Sequence, residues 1–265
     1  MVCNLLTFGA VGTIVITFAL LVGWYAVRTA VVIGGATWLI TRQWRRIIAR
    51  AWIPAQLRAA LRQTAAVLLF DAAIIIAVGK LGWIHFSPST IASTLLTFAL
   101  TFVWYEIWFY LVHRALHETR LYRIHAIHHE AAVPHPLSVL TFSIAERAIM
   151  LAGLIGFIAL LSYVLPVATV GLTIYGLVNH ILAVIGHSNV EVYPRDWLER
   201  PIGKVWSTVT HHALHHERER GHYGLFTCVL DDLFGSSFAD YPRLQKLAAA
   251  GQHLDRLEDG AQPGT

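Results

Sequence analysis

Eight histidines stand in three tight clusters, His113-x-x-x-His117, His125-x-x-His128-His129 and His212-x-x-His215-His216, so a fold for this chain must gather them or scatter them. Fourteen of its fifteen histidines lie at or after residue 113. At that histidine content, one HxxHH arises by accident in roughly 5% of chains of this length, and two arise far less often. Lone surface histidines commonly serve as ordinary polar residues, but triplets repeated at one spacing do not. The clusters hold enough imidazole for two metal ions.

The setting is a membrane. Hydrophobic residues make up 56% of the chain and charged residues only 14%, and the mean hydropathy is +0.56, beyond what soluble domains show. The two cysteines, Cys3 and Cys228, are too few for a disulfide framework or an iron-sulfur cluster. Leu5 to Val27 is an apolar run long enough to cross a hydrocarbon core. It lacks the basic start of a signal peptide and exceeds the usual apolar core of one, so it is read as an anchor. Thr29 to Ile40 either extends that helix or lies at the interface.

Arg42, Arg45, Arg46, Arg50, Arg58 and Arg62 follow with no acid among them and with Trp44 and Trp52 between. The positive-inside rule places this stretch in the cytoplasm, where it can also meet lipid headgroups. The sequence pI near 9.2 is accounted for by these arginines and implies no nucleic acid. Thr64 to Ile84 then leaves the cytoplasm, Ser87-Pro88-Ser89 turns, and Thr90 to Val112 returns. Ile149 to Leu165 and Val167 to Ile185, divided at Pro166, form a second hairpin that returns near His187. Every clustered histidine therefore faces the arginine side. Asp71 and Glu106 lie within the spans, where a charge is costly, and are read as functional, snorkelling or paired with an arginine.

The fold expected is all-α: an integral, multi-pass helical bundle of four to five spans, with a cytosolic helical cap holding a binuclear metal site. Residues 1–63 would be the anchor and basic segment, 64–244 the histidine-box catalytic domain, and 245–265 a polar, partly disordered tail whose removal is tolerated. HxxxH puts His113 and His117 on one helical face, one turn apart. In HxxHH, positions i and i+3 share a face with i+4 beside them, so one cluster can serve one metal and help bridge to another. An almost all-imidazole shell suits iron, zinc, copper or nickel and lacks the bridging carboxylates of soluble di-iron bundles.

The order HxxxH, HxxHH, HxxHH on one side of a small multi-span chain resembles the fatty acid hydroxylase and sterol desaturase superfamily. His113-Arg114-x-Leu116-His117 with Arg120-Leu121-Tyr122-x-x-His125 is similar to the first box and its surroundings. Gly186-His187-Ser188-Asn189 resembles the HSN element, and Tyr223-Gly224 with Leu230-Asp231-Asp232-Leu233-Phe234-Gly235-Ser236 resembles the closing NYG and WDxLFGT elements. The likeness covers about residues 90–240. Leu230 stands where that motif has Trp, Ser236 where it has Thr, and His222 where NYG has Asn.

The resemblance implies a membrane-bound non-haem di-iron oxygenase that uses O2 and two electrons to hydroxylate or desaturate a lipid C–H bond, with zinc able to replace iron on purification. Its nine ligands would be His113, His117, His125, His128, His129, His187, His212, His215 and His216. Asp231 or Asp232 is expected to orient a ligand's distal N–H. His222 is expected as an extra ligand or as a donor behind the ligands. His180, seven residues before His187, is expected either as a further ligand or as a polar residue packed against other helices, and His211 and His135 are expected to be polar filler or to stand behind the ligands. His85 falls on the opposite membrane side and His253 in the tail. Glu217 to Arg220 reads as a solvated loop. With no GxGxxG after a strand, no CxxC and no cytochrome domain in the chain, a separate electron donor is required, a ferredoxin or a b-type cytochrome with its reductase, docked on the basic face.

A carotenoid or alkane hydroxylase would share the same metal chemistry. A zinc-dependent membrane hydrolase would use fewer histidines per ion and a general-base Glu as in HExxH, which this sequence lacks. A metal transporter or storage protein would need ligands within the spans.

Overall fold

The computed structural model describes residues 10–42, 45–50 and 53–254, so Cys3, the start of the first apolar run, Trp44, Trp52 and the last eleven residues lie outside it. Five helices are long and apolar enough to cross a membrane: α1 (Ala10–Ile40), α2 (Pro54–Leu81), α3 (Ile91–Leu116), α5 (Ile144–Leu161) and α6 (Thr169–Gly186). The undecided stretch Thr29 to Ile40 extends the first helix without a break.

Local chemistry sets the helix ends. Pro54 opens α2, where it loses no hydrogen bond, and the Gln56 side chain accepts from the Ile53 N–H. The helix closes on Gly82 at φ 64°, which donates its N–H to the Val78 carbonyl. Thr90 and Ser93 cap the start of α3 reciprocally. Two-residue strands β1 (Phe86–Ser87) and β2 (Val167–Ala168) pair in parallel and join the tips of the two hairpins. His85 lies at that end, with its N–H donated to the Ser162 hydroxyl and away from the other histidines.

α3 runs between α5 and α6. A methyl group on Gly171 of α6 would meet the Thr94 carbonyl at 2.6 Å, and one on Gly153 of α5 would enter the Trp108 ring. Small residues at those two crossings let the backbones approach closely, which is how helices associate where lipid offers no hydrophobic drive.

At the other end of the bundle, α4 (Tyr122–His129), the 3-10 turn Pro136–Leu140, α7 (Val209–Arg218), α8 (Val229–Leu233) and α9 (Tyr241–Ala249) form a helical cap. Its core gathers Ile47, Ile48, Val209, Leu214, Phe238 and Leu244. Continuous structure runs across the expected boundaries. The divide at 63/64 falls inside α2, and Ile47 and Ile48, assigned to a separate anchor segment, are fully buried in the cap core. The tail expected from Gln245 is ordered to Leu254: Gln245 and Ala248 of α9 are fully buried, and the Leu254 N–H is donated to the Ile47 carbonyl. Amphipathic spacing in a short polar helix was legible there, but the apolar partner that holds it lies some two hundred residues away. Glu217 and Arg218 are not loop residues either. They end α7, with Glu217 paired to Arg50 and Arg218 gripping Asp240 at 2.7 and 2.8 Å.

Candidate metal centre

The ends of α3, α4, α6 and α7 bring all nine expected histidines together in two buried groups. One contains His113, His117, His125, His129 and His215, the other His128, His187, His212 and His216. Within each group one nitrogen per ring lies within 4.8 Å of all the others. The pairs sharing a group on one element, His113/His117, His125/His129 and His212/His216, are all four residues apart. The middle histidine of each HxxHH box crosses to the other group, so the expected i, i+3 sharing is replaced by i, i+4. At about 100° per residue, i+4 lies nearer to directly above i than i+3 does. The odd member is what couples the two groups.

Ring tautomers are set by the partners behind them. A peptide carbonyl can only accept, so His113 Nδ1 (to Tyr223 O, 2.9 Å), His215 Nδ1 (to Gly221 O, 2.8 Å) and His187 Nδ1 (to Ala183 O, 2.8 Å) each carry the proton. His125 Nδ1 meets Glu146 Oε1 at 2.7 Å, and a carboxylate there fixes it the same way. The Nε2 atoms of these four rings therefore present bare lone pairs. His113 Nε2 and His125 Nε2 face each other at 3.1 Å, with His129 Nε2 at 2.9 Å from His125 and His215 Nε2 at 3.2 Å from His129. In the other group, His212 Nε2 is 3.1 Å from His187 and from His216. For His113 and His125, both fixed from behind, two lone pairs at such a distance repel unless a cation lies between them. Nitrogens at right angles around an ion, each about 2.1 Å from it, are about 3.0 Å apart, so the donor set fits a metal in each group.

Burial and neighbouring imidazoles hold His117, His125, His128, His212, His215 and His216 well below the usual histidine range. Burial takes His187 down to about 4 and His129 to about 2. All are thus neutral near pH 7, the form a metal needs.

The two residues expected to support the ligands act differently from expectation. Asp231 touches no member of either group. Its carboxylate accepts from the Tyr223 and Gly224 N–H groups at 2.7 and 2.8 Å and from Ser236 Oγ at 2.7 Å, and it lies 3.5 Å from His211 Nε2. It therefore shapes the turn whose Tyr223 carbonyl holds His113, one link further back than expected. Burial opposes its charge, but His211, His222 and the Ser236 hydroxyl outweigh burial and hold its pKa below the usual carboxylate range. His222 is not a ligand: Nδ1 donates to the His211 carbonyl, Nε2 accepts from the Phe238 N–H, and the ring stacks on His211 at 3.8 Å. His135 caps the Pro136–Leu140 turn, accepting from the Leu137 N–H. His253 Nδ1 meets the Arg46 carbonyl at 2.9 Å.

Glu146 was missed, because Ser143-x-x-Glu146 before an apolar run reads as a capping box. Ser143 does cap α5, but the Glu146 side chain turns instead to His125. Glu191 was missed too. It accepts from the Thr210 N–H and hydroxyl at the start of α7 and so anchors the helix that carries the third box. Of the two acids in the spans, Asp71 forms a two-pronged pair with Arg147 at 2.8 and 2.6 Å, and Glu106 accepts from Phe226 and Thr227. Asn189 of the HSN element pins both backbone groups of Ile48.

Behind the second group opens a cavity of 270 Å³ walled by all five spans, with His128, His187 and His212 at its cap end. The fatty acid hydroxylase profile matches residues 98–236, which carry all nine histidines, Glu146 and Asp231. The chain belongs to the fatty acid hydroxylase family. It is 31% identical over 137 residues to the very-long-chain aldehyde decarbonylase GL1-6 of Oryza sativa subsp. japonica, an alignment covering 50% of this chain and 21% of that protein. It is 31% identical over 147 residues to the aldehyde decarbonylase GL1-1 of Oryza sativa subsp. indica, covering 54% and 24%. With protein CER1-like 1 of Arabidopsis thaliana it shares 28% over 147 residues, covering 50% and 22%. The chain thus spans less than a quarter of the length of these relatives. No solved structure matches it.

Proposed function

We propose that this membrane protein is a non-haem di-iron oxygenase that uses O2 and external electrons to hydroxylate or desaturate a lipid C–H bond. The observation that carries the reading is the pair of facing Nε2 atoms of His113 and His125, 3.1 Å apart with both Nδ1 atoms engaged from behind, inside a group of five buried imidazoles. Bound iron would supply the activation of O2 and the oxidation itself.

The rest falls to the chain. Five histidines would hold one ion and four the other. The Tyr223, Gly221 and Ala183 carbonyls and Glu146 keep the Nε2 atoms aimed and unprotonated. The cavity reaches the second group through His128, His187 and His212, so a lipid would meet that ion. Its apolar walls, including Leu151, Leu154 and Ile158, exclude water from the reacting bond. Glu146 is engaged behind His125, which leaves a hydrolase no free carboxylate as a general base in the described groups. The arginine-bearing segment packs against the cap, so both occupy one membrane face, taken as cytoplasmic, where a ferredoxin or b-type cytochrome would dock.

The rice relatives add a second reading, in which the lipid is a long-chain aldehyde. Membranes containing the protein, iron and a surrogate electron donor, supplied with alkane, acid and aldehyde of one chain length, test both. O2-dependent hydroxylated or unsaturated product supports the first reading. A chain shortened by its carbonyl carbon supports the second, and no product from any of them refutes both.

A further inference from the structure

Arg28 lies within the first span, Val15–Trp38. It is at least ten residues, or about 15 Å, from either end of that span, too far for its side chain to reach water. Its buried Nε has no hydrogen-bond partner among the described residues. The guanidinium lies over the Tyr25 ring at 4.7 Å. It faces the cavity, whose charged lining groups are Arg28, Asp71 and Arg147. Since Asp71 and Arg147 neutralise each other, one positive charge is left over in an apolar chamber. A second group in the same wall is also orphaned: His180 is 5% exposed and its Nε2 has no partner. Buried polar groups are nearly always satisfied, and an uncompensated intramembrane charge marks a functional site.

We propose that Arg28 and His180 form a subsite for the carboxylate of an apolar acid, which enters the cavity with its head between them and its chain beside the second histidine group. The carboxylate would compensate the surplus charge and accept from the guanidinium and from His180 Nε2–H. His180 is seven residues before His187 on α6, so the head would sit about 10 Å from that group. The carbon oxidised then lies several methylenes along the chain from the carboxylate, neither next to the head nor at the far end. This rests on the proposed lipid oxidation for the reaction, but not for the binding.

The test is equilibrium binding to the protein in phosphatidylcholine nanodiscs at about pH 8, comparing a long-chain acid with the primary alcohol and the methyl ester of equal length. The wild type should bind the acid about ten-fold tighter than either neutral analogue, as expected of a hydrogen bond to a charged group. Arg28→Gln should erase that preference while leaving alcohol binding and iron content unchanged, and Arg28→Lys should keep most of it. Equal binding of acid and alcohol by the wild type, or a preference that survives in Arg28→Gln, overturns the subsite. An intact acid preference with no oxidised product would strike the proposed reaction and leave the subsite standing.

Discussion

In the first histidine group three of five rings are held from behind, His113 and His215 by carbonyls and His125 by Glu146, whereas in the second only His187 is so held. His128 and His216 of the second group have buried Nδ1 atoms with no partner, and three of its four members look into the cavity. Among the first group His129 alone has such an Nδ1. Preorganised ligands bind without ordering cost, while loosely held ones can shift as their metal changes its other partners. With metal bound as proposed, the contrast teaches that the first shell would retain its ion and the second would present one to whatever fills the cavity.

The largest effect expected is from His125→Ala. It removes one ligand and strands Glu146, which is fully buried, at a cost of about 3 kcal/mol or more. His216→Ala strands no carboxylate, so thermal unfolding of the metal-free proteins should show the first variant clearly less stable. Equal losses would break the contrast. Next, Glu146→Gln keeps the volume but replaces the carboxyl group behind His125 with an amide, and it should weaken iron binding at the first group by about 10–100-fold while sparing the second. A two-site metal titration reads this directly.

Acid should separate the groups further. Buried His187 is held down to about 4 and buried His129 to about 2, while in the unfolded chain both titrate near 6.5. Because the folded values are depressed, the unfolded state binds more protons below about 6.5. Stability of the metal-free protein is then full above that pH and falls as pH drops, by up to about 1.4 kcal/mol per pH unit for each ring. The loss from His187 is complete near pH 4, and that from His129 continues towards 2. His187 should accordingly take up its proton before His129 on acidification of the metal-free protein, and coincident titration of the two rings would remove the distinction. The smallest effect belongs to the cap surface, where Asp196 and Arg200 pair in the open. Asp196→Ala should leave metal content and thermal midpoint unchanged.

Much of this was legible in the sequence because it is local. Apolar runs gave the spans, and the resemblance to a known family, carried by the boxes and the HSN element, named the nine histidines that the structure brings together. What the sequence hid is made by packing between distant segments. Asp71 meets Arg147 across 76 positions, and Arg28 sits between two apolar stretches that individually read as uncharged. Glu146 was concealed by a local pattern that is also true, the cap of α5, because backbone and side chain of one residue can answer different demands. Asp231 was legible as a supporting acid but not at its correct remove, since the turn between it and His113 is set by tertiary contacts.

The most direct test is metal content per chain after reconstitution with iron, for the wild type beside His215→Ala and His212→Ala. Two irons in the wild type, falling to about one in His212→Ala, which leaves its group three histidines, and staying closer to two in His215→Ala, which leaves its group four, is the predicted result. One iron or fewer in a wild-type protein that is folded and supplied with excess metal would contradict the binuclear centre.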